Sequence, residues 1–261
     1  MSDISFEIGL PLLLVLFLGL PHGAADAAVA KRTAPRVQAW LFAATYIGLA
    51  VCFGGLWLVL PSLCLLTFML MSMFHFGQGD ANAYTNHPHL SATLAHGGGV
   101  VFAIINFHPQ TVGDIFVLLG SQEEVVNWLR GLSVMWLAML VFAFGKGSIS
   151  GRAMLEIGAL WCLCALLPPL WGFAIYFCFI HGVRHMRRLR GTGIVQSRRD
   201  WLTVGVFSGL AIAVAGLGMR VQPELIFDDA LTRTVFILLA ALTVPHMLLI
   251  DYMMGRKNAV A

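Results

Sequence analysis

The sequence predicts an all-α fold, a polytopic helical membrane bundle of about nine transmembrane segments. Three observations predict it. Of the 261 residues, 59% are hydrophobic and 11% charged, where soluble domains carry about a quarter charged, and mean hydropathy is +0.83. Apolar runs of membrane-spanning length recur from one end of the chain to the other. The few charges gather between those runs and differ in sign from one loop to the next. A large water-soluble core is excluded, because too few charges remain to cover it. Residues 1–261 read as a single integral membrane domain with no soluble appendage.

The segments fall at roughly 8–29, 36–59, 62–79, 91–107, 125–145, 152–168, 169–188, 201–219 and 231–254. The first follows Asp3 and Glu7, whereas a cleaved signal peptide has a basic start and a small-residue cleavage site, so this segment is expected to stay. Leu60-Pro61-Ser62 divides the second from the third, and Pro168-Pro169 the sixth from the seventh, because proline breaks a helix. Residues 111–120 are apolar but too short to span and are expected at the interface. Eight spans is the alternative count, with the first segment re-entrant.

Charge sets the orientation. With the N-terminus outside, alternate loops on the cytoplasmic side hold Lys31, Arg32, Arg36, Lys146, Arg152, Arg184, Arg187, Arg188, Arg190, Arg198, Arg199, Arg256 and Lys257, 13 of the 16 basic residues. The opposite loops keep Arg130, Arg220 and Arg233 beside Asp114, Glu123, Glu124, Glu224, Asp228 and Asp229. This predicts a multi-pass protein of the cell's inner (plasma) membrane with a cytoplasmic C-terminus. The basic run Arg184–Arg190 reads as a cluster beside anionic lipid, so the bilayer is the expected partner and nucleic acid is not. Cys52, Cys64, Cys162, Cys164 and Cys178 all sit in apolar segments without a CxxC or zinc spacing, and read as small buried hydrophobes.

The chemistry lies in the nine histidines. Ionisable groups inside membrane segments are costly and mark sites or pathways. His87 and His89 lie in a polar loop and His108 at the outer end of the fourth segment, as solvated or interfacial groups. His22, His75, His96, His181, His185 and His246 all fall at similar depth in the cytoplasmic leaflet of this topology. Distant segments therefore offer imidazoles to one layer of the bundle, a His-lined metal site in its cytoplasmic half. His181 and His185 are one helical turn apart, about 6 Å, so both rings share a face and can grip one ion. The spacing alone is common; matching depth at His22 and His75 strengthens it. Pro21 before His22 and Pro245 before His246 can aim a ring into the bundle, or simply kink the helix. Carboxylates that take the second ring N–H of a metal-bound histidine are sought in Asp26, Asp80 and Glu156. All-imidazole ligation suits a redox-active iron; zinc and copper stay chemically open.

At these residues the chain resembles the Brp/Blh family of membrane β-carotene 15,15′-dioxygenases. The resemblance runs through Gly19-Leu20-Pro21-His22-Gly23-Ala24 with Asp26, His75-Phe76-Gly77 with Asp80, Ala95-His96-Gly97-Gly98, Tyr176-Phe177-Cys178-Phe179-Ile180-His181 with Arg184-His185, and Leu242-Thr243-Val244-Pro245-His246-Met247 with Ile250-Asp251. It implies non-haem Fe(2+), O2 and β-carotene, cut at its central double bond into two molecules of all-trans-retinal. It implies His22, His75, His181 and His185 as the iron ligands. His96 and His246 join Asp26, Asp80 and Glu156 as supporting or substrate-proximal residues. Phe74, Phe76, Tyr176, Phe177 and Phe179 flank the implied ligands and can line an apolar substrate channel, or serve as ordinary helix packing. The rivals are a di-iron hydroxylase, a bis-histidine haem-b carrier and a transporter with a histidine proton relay. The first needs denser histidine boxes; the second leaves most of the histidines unexplained; the third needs no metal.

Overall fold

Apolar sequence forces main-chain hydrogen bonds to close within each segment, and the helices follow from that. The computed structural model describes residues 5–33, 36–84 and 89–260, with side chains described up to Leu249. Among the described residues the chain forms ten helices and no strand. They are α1 (Gly9–Thr33), α2 (Ala39–Val59), α3 (Pro61–Ala81), α4 (Leu90–Phe107), α5 (Pro109–Leu118), α6 (Glu124–Gly145), α7 (Gly151–Leu166), α8 (169–191), α9 (Arg198–Arg220) and α10 (Phe227–Val260). Asp3 and His87 lie outside the described residues, as do the side chains of Ile250, Asp251, Arg256 and Lys257.

Each of the nine apolar segments is a helix. Seven of them (α1, α2, α3, α4, α6, α9 and α10) are long and apolar enough to cross a membrane. Of the other two, α7 has 16 residues, and α8 runs on through the basic residues Arg184, Arg187, Arg188 and Arg190. The stretch after Phe107 forms the separate short helix α5, whose 10 residues reach only about 15 Å.

Helix ends are marked by ordinary local chemistry. Prolines 61, 109 and 169 open α3, α5 and α8 in the first turn, where the missing N–H has no helical partner to lose. Ser150 caps α7 by accepting from the Ala153 N–H at 3.2 Å. Ser197 and Asp200 form a reciprocal capping box at the start of α9. Gly147 (φ 71°) and Gly193 (φ 75°) stop α6 and α8 in the left-handed conformation that glycine adopts without strain.

The core runs through Leu12, Val15, Leu65, Val100, Tyr176, Leu231 and Leu239, all buried. Outward faces stay apolar, as a lipid-facing surface requires: Leu58, Val134, Leu166 and Leu202 are each more than two-thirds exposed. Of α2 only Trp57 is buried, its indole N–H donating to the Leu119 carbonyl at 2.9 Å. The tightest helix pair is α3 with α4. A Cβ placed on Gly77 would stand 1.8 Å from the Thr93 carbonyl oxygen, and one on Gly97 1.6 Å from that of Met73. The two backbones touch directly, which glycine alone permits. That contact lies one turn or less from both His75 and His96.

Candidate metal centre

Two helices depart from α geometry where they deliver their histidines. Val15–Gly19 of α1 is a π-helical turn just ahead of Pro21 and His22. Tyr176–His181 of α8 is a second one, ending on His181. Such turns are rare and gather at functional sites, because the extra residue per turn re-aims the side chains that follow. The two π segments pack on each other through Gly19, whose Cα lies against the Phe177 ring.

Five of the six inward histidines converge. Ring centroids of His75 and His181 are 4.9 Å apart, His181 and His22 5.5 Å, and His22 and His185 5.6 Å. His185 and His246 follow at 5.5 Å, and His246 returns to His75 at 4.8 Å. The circuit closes. All five are buried. His181 and His185 both enter it from α8, but by different neighbours: His181 touches His75 and His22, while His185 touches His22 and His246.

Three of the five rings, His22, His75 and His181, bring nitrogens close enough together that they could hold one metal ion. The His22 Nδ1–H donates to the Gly19 carbonyl, which leaves Nε2 with its lone pair. His75 Nε2 and His181 Nε2 face each other at 3.2 Å. Ligand atoms of His22, His75 and His181 lie within 4.8 Å of one another. Imidazole–metal bonds of about 2.1 Å put neighbouring donors about 3.0 Å apart and opposite donors about 4.2 Å apart, so these three need close only slightly around one ion. His181 Nδ1, His185 Nε2 and His246 Nε2 are buried with no hydrogen-bond partner among the described residues. Buried polar nitrogens are normally paired; a cation among the rings could partner His185 Nε2 and His246 Nε2, whereas His181 Nδ1 lies on the Gly79 side of its ring.

The acids sort by helix. Asp26, one turn after His22, binds His246 rather than its neighbour: both carboxylate oxygens lie 2.9 Å from His246 Nδ1. The Tyr46 hydroxyl donates to the same carboxylate at 2.7 Å. Asp80 and Glu156 meet at Arg184 instead, which reaches Asp80 Oδ1 at 3.1 Å and Glu156 Oε1 at 2.7 Å. The Tyr176 hydroxyl donates to Asp80 at 2.7 Å, and Tyr84 donates to Glu156. Burial and the adjacent Glu156 carboxylate push the Tyr84 phenol up to about 12, so it remains a donor at neutral pH. His96 is buried but belongs to this second group, stacked on Tyr84 at 5.2 Å. Arg188 donates to the Gly79 carbonyl at 2.6 Å. A cavity of about 10 Å³ separates the two groups, bounded by His75, His181 and His185 on one side and Arg184 and Arg188 on the other; it has room for one water-sized species.

The aromatic residues divide too. The Phe76 ring lies 4.8 Å from that of His181, and Phe177 lies 4.9 Å from His22. Tyr176 is fully buried against Phe76. Phe74 is only partly buried, and Phe179 is 54% exposed on the outer face of the π turn. His89 is exposed, and His108 Nε2 pairs with the Cys164 carbonyl at 2.7 Å.

Sequence reasoning passed over Tyr46, although a tyrosine alone in an apolar segment needs a partner for its hydroxyl. It also counted Arg184 and Arg188 among loop charges, whereas α8 continues past both and turns them inward.

Residues 13–254 match the β-carotene 15,15′-dioxygenase family. The chain belongs to this family. It is 33% identical over 269 aligned residues, 92% of each chain, to the β-carotene 15,15′-dioxygenase of uncultured marine bacterium 66A03. It is 23% identical, over 90% of its length and 81% of the relative's, to the probable β-carotene 15,15′-dioxygenase Blh of Halobacterium salinarum. No solved structure matches it. The family match therefore covers nearly the whole of this chain, the histidine motifs included.

Proposed function

We propose that this membrane enzyme cleaves β-carotene at its central 15,15′ double bond with O2. One C40 polyene and one O2 give two C20 aldehydes, all-trans-retinal, and the atoms balance without a further reductant. Fe(2+) is the metal of this reading, held by His22, His75, His181 and His185. The observation that carries it is the buried imidazole circuit with unpartnered ring nitrogens, in a chain of this family. Bound there, iron supplies the redox chemistry that activates oxygen, which zinc lacks.

The chain's own residues do the rest. His22 is oriented by the Gly19 carbonyl and His246 by Asp26, so each presents a fixed nitrogen. Phe76, Tyr176 and Phe177 make the wall beside His22 and His181 apolar and exclude water from it. A polyene dissolved in the bilayer reaches such a wall sideways, between helices, and the wall fixes which double bond meets the metal. In the proposed orientation the N-terminus is outside the inner membrane and the site lies in the cytoplasmic half.

Expression in carotenoid-making cells tests the reading. Orange pigment should fade as retinal accumulates, while His75→Ala and His181→Ala insert normally, bind no iron and leave the cells orange. Unchanged pigment with the inserted wild-type protein, or full retinal yield from either variant, overturns it.

A further inference from the structure

We propose that His246 is a fifth imidazole ligand of the same ion, fixed for that task by Asp26 and Tyr46. The proposal rests on the iron site just described and extends it to α10. Four observations on this residue converge. Its ring stands 4.8 Å from His75, 5.6 Å from His22 and 5.5 Å from His185, closing the circuit that the four other histidines leave open. It is buried, 4% exposed. Its Nδ1 is 2.9 Å from both oxygens of Asp26. Its Nε2 is buried and has no partner among the described residues.

A carboxylate accepts only, so the proton shared with Asp26 sits on Nδ1 and the Nε2 lone pair is left bare. That is the tautomer a metal requires, and a carboxylate behind a ligating imidazole is the usual way of enforcing it. Tyr46 fixes the carboxylate in turn, donating to Oδ2 at 2.7 Å from α2. Three helices thus cooperate to aim one nitrogen. A histidine buried only to satisfy Asp26 has no need of a bare second nitrogen, which is costly away from water. Asp26 and Tyr46 are positioning residues; they act through His246.

The test uses the full-length protein in detergent with Co(2+) as the probe, since its visible ligand-field band reports the number and kind of ligands. Affinity is measured by chelator competition. Wild type should take up one Co(2+). His246→Ala should bind it more than 100-fold more weakly, with a changed band. His246→Gln, close in volume, should show the same band change and so separates lost ligation from lost packing. Asp26→Asn should weaken binding about 10–100-fold with the band retained. Added to His246→Ala it should cost nothing further, because it works through that ring. Wild-type band and affinity in His246→Gln overturn the fifth ligand and leave the four-histidine site standing. Additive losses in the double variant do the same. A wild-type protein that takes up no Co(2+) overturns the metal site itself and His246 with it.

Discussion

Gly97→Ala probes the packing that holds the site together. Its Cβ would sit 1.6 Å from the Met73 carbonyl oxygen and 2.6 Å from the carbonyl carbon, both main-chain atoms of α3. A carbon–oxygen contact settles at about 3.3 Å, so α3 and α4 must part by about 1.7 Å where they meet. Neither partner is a side chain that can swing away, and overpacking of this kind costs about 1–3 kcal/mol. The larger effect falls on His75, two residues from Met73, since catalytic groups tolerate only about 0.5 Å of displacement. A misplacement of about 1 Å can cost 10²-fold in rate. Retinal formation by purified Gly97→Ala should therefore fall about 100-fold, and its denaturation midpoint should drop. Gly99→Ala is the control on the same helix: its Cβ meets Ile157 at 3.5 Å, an ordinary contact, and activity should stay within twofold. Equal activity for both variants would refute the direct backbone contact and the path from it to His75.

Three further outcomes follow from the same geometry. Arg184→Ala leaves the 1%-exposed Asp80 side chain without its cation, a loss of about 3 kcal/mol by chemical denaturation; Arg32→Ala, which breaks the exposed pair with Asp200, should cost less than about 1 kcal/mol, and equal losses count against the buried network. Phe177→Ala empties a buried position against the His22 ring and should lower stability by about 3 kcal/mol and turnover by tenfold or more, while Phe179→Ala on the outer face stays near wild type; a larger loss at Phe179 contradicts the placement of the apolar wall. A strong chelator should abolish retinal formation, with Fe(2+) restoring it and Zn(2+) failing, and activity that survives complete metal removal argues against a metal enzyme.

Hydropathy made the helices legible because each apolar segment must satisfy its own main chain, whatever its neighbours are. Six histidines were expected in one layer, and His22, His75, His181, His185 and His246 do meet. His96 joins Tyr84 and Glu156 instead, for a reason that depth alone does not carry. It lies one residue before Gly97, and the backbone contact there fixes which way α4 faces. The two π turns were invisible because they are a matter of main-chain register, and neither apolar run is interrupted in sequence. Arg184 was read as a membrane-surface charge. Its carboxylate partners come from α3 and α7, 104 and 28 positions away, and no local pattern announces them. Asp26 was singled out for its closeness to His22, yet it serves a histidine 220 residues away.

That last pairing ties the first described helix to the final one. During synthesis α1 enters the membrane long before residue 246 leaves the ribosome, so Asp26, with only Tyr46 donating to it, waits for His246 while the intervening helices are inserted. Over that interval a polar carboxylate must be tolerated in lipid or stay near its aqueous edge. The arrival of α10 then brings the His246 ring to that carboxylate and closes the contact between the two ends of the described chain.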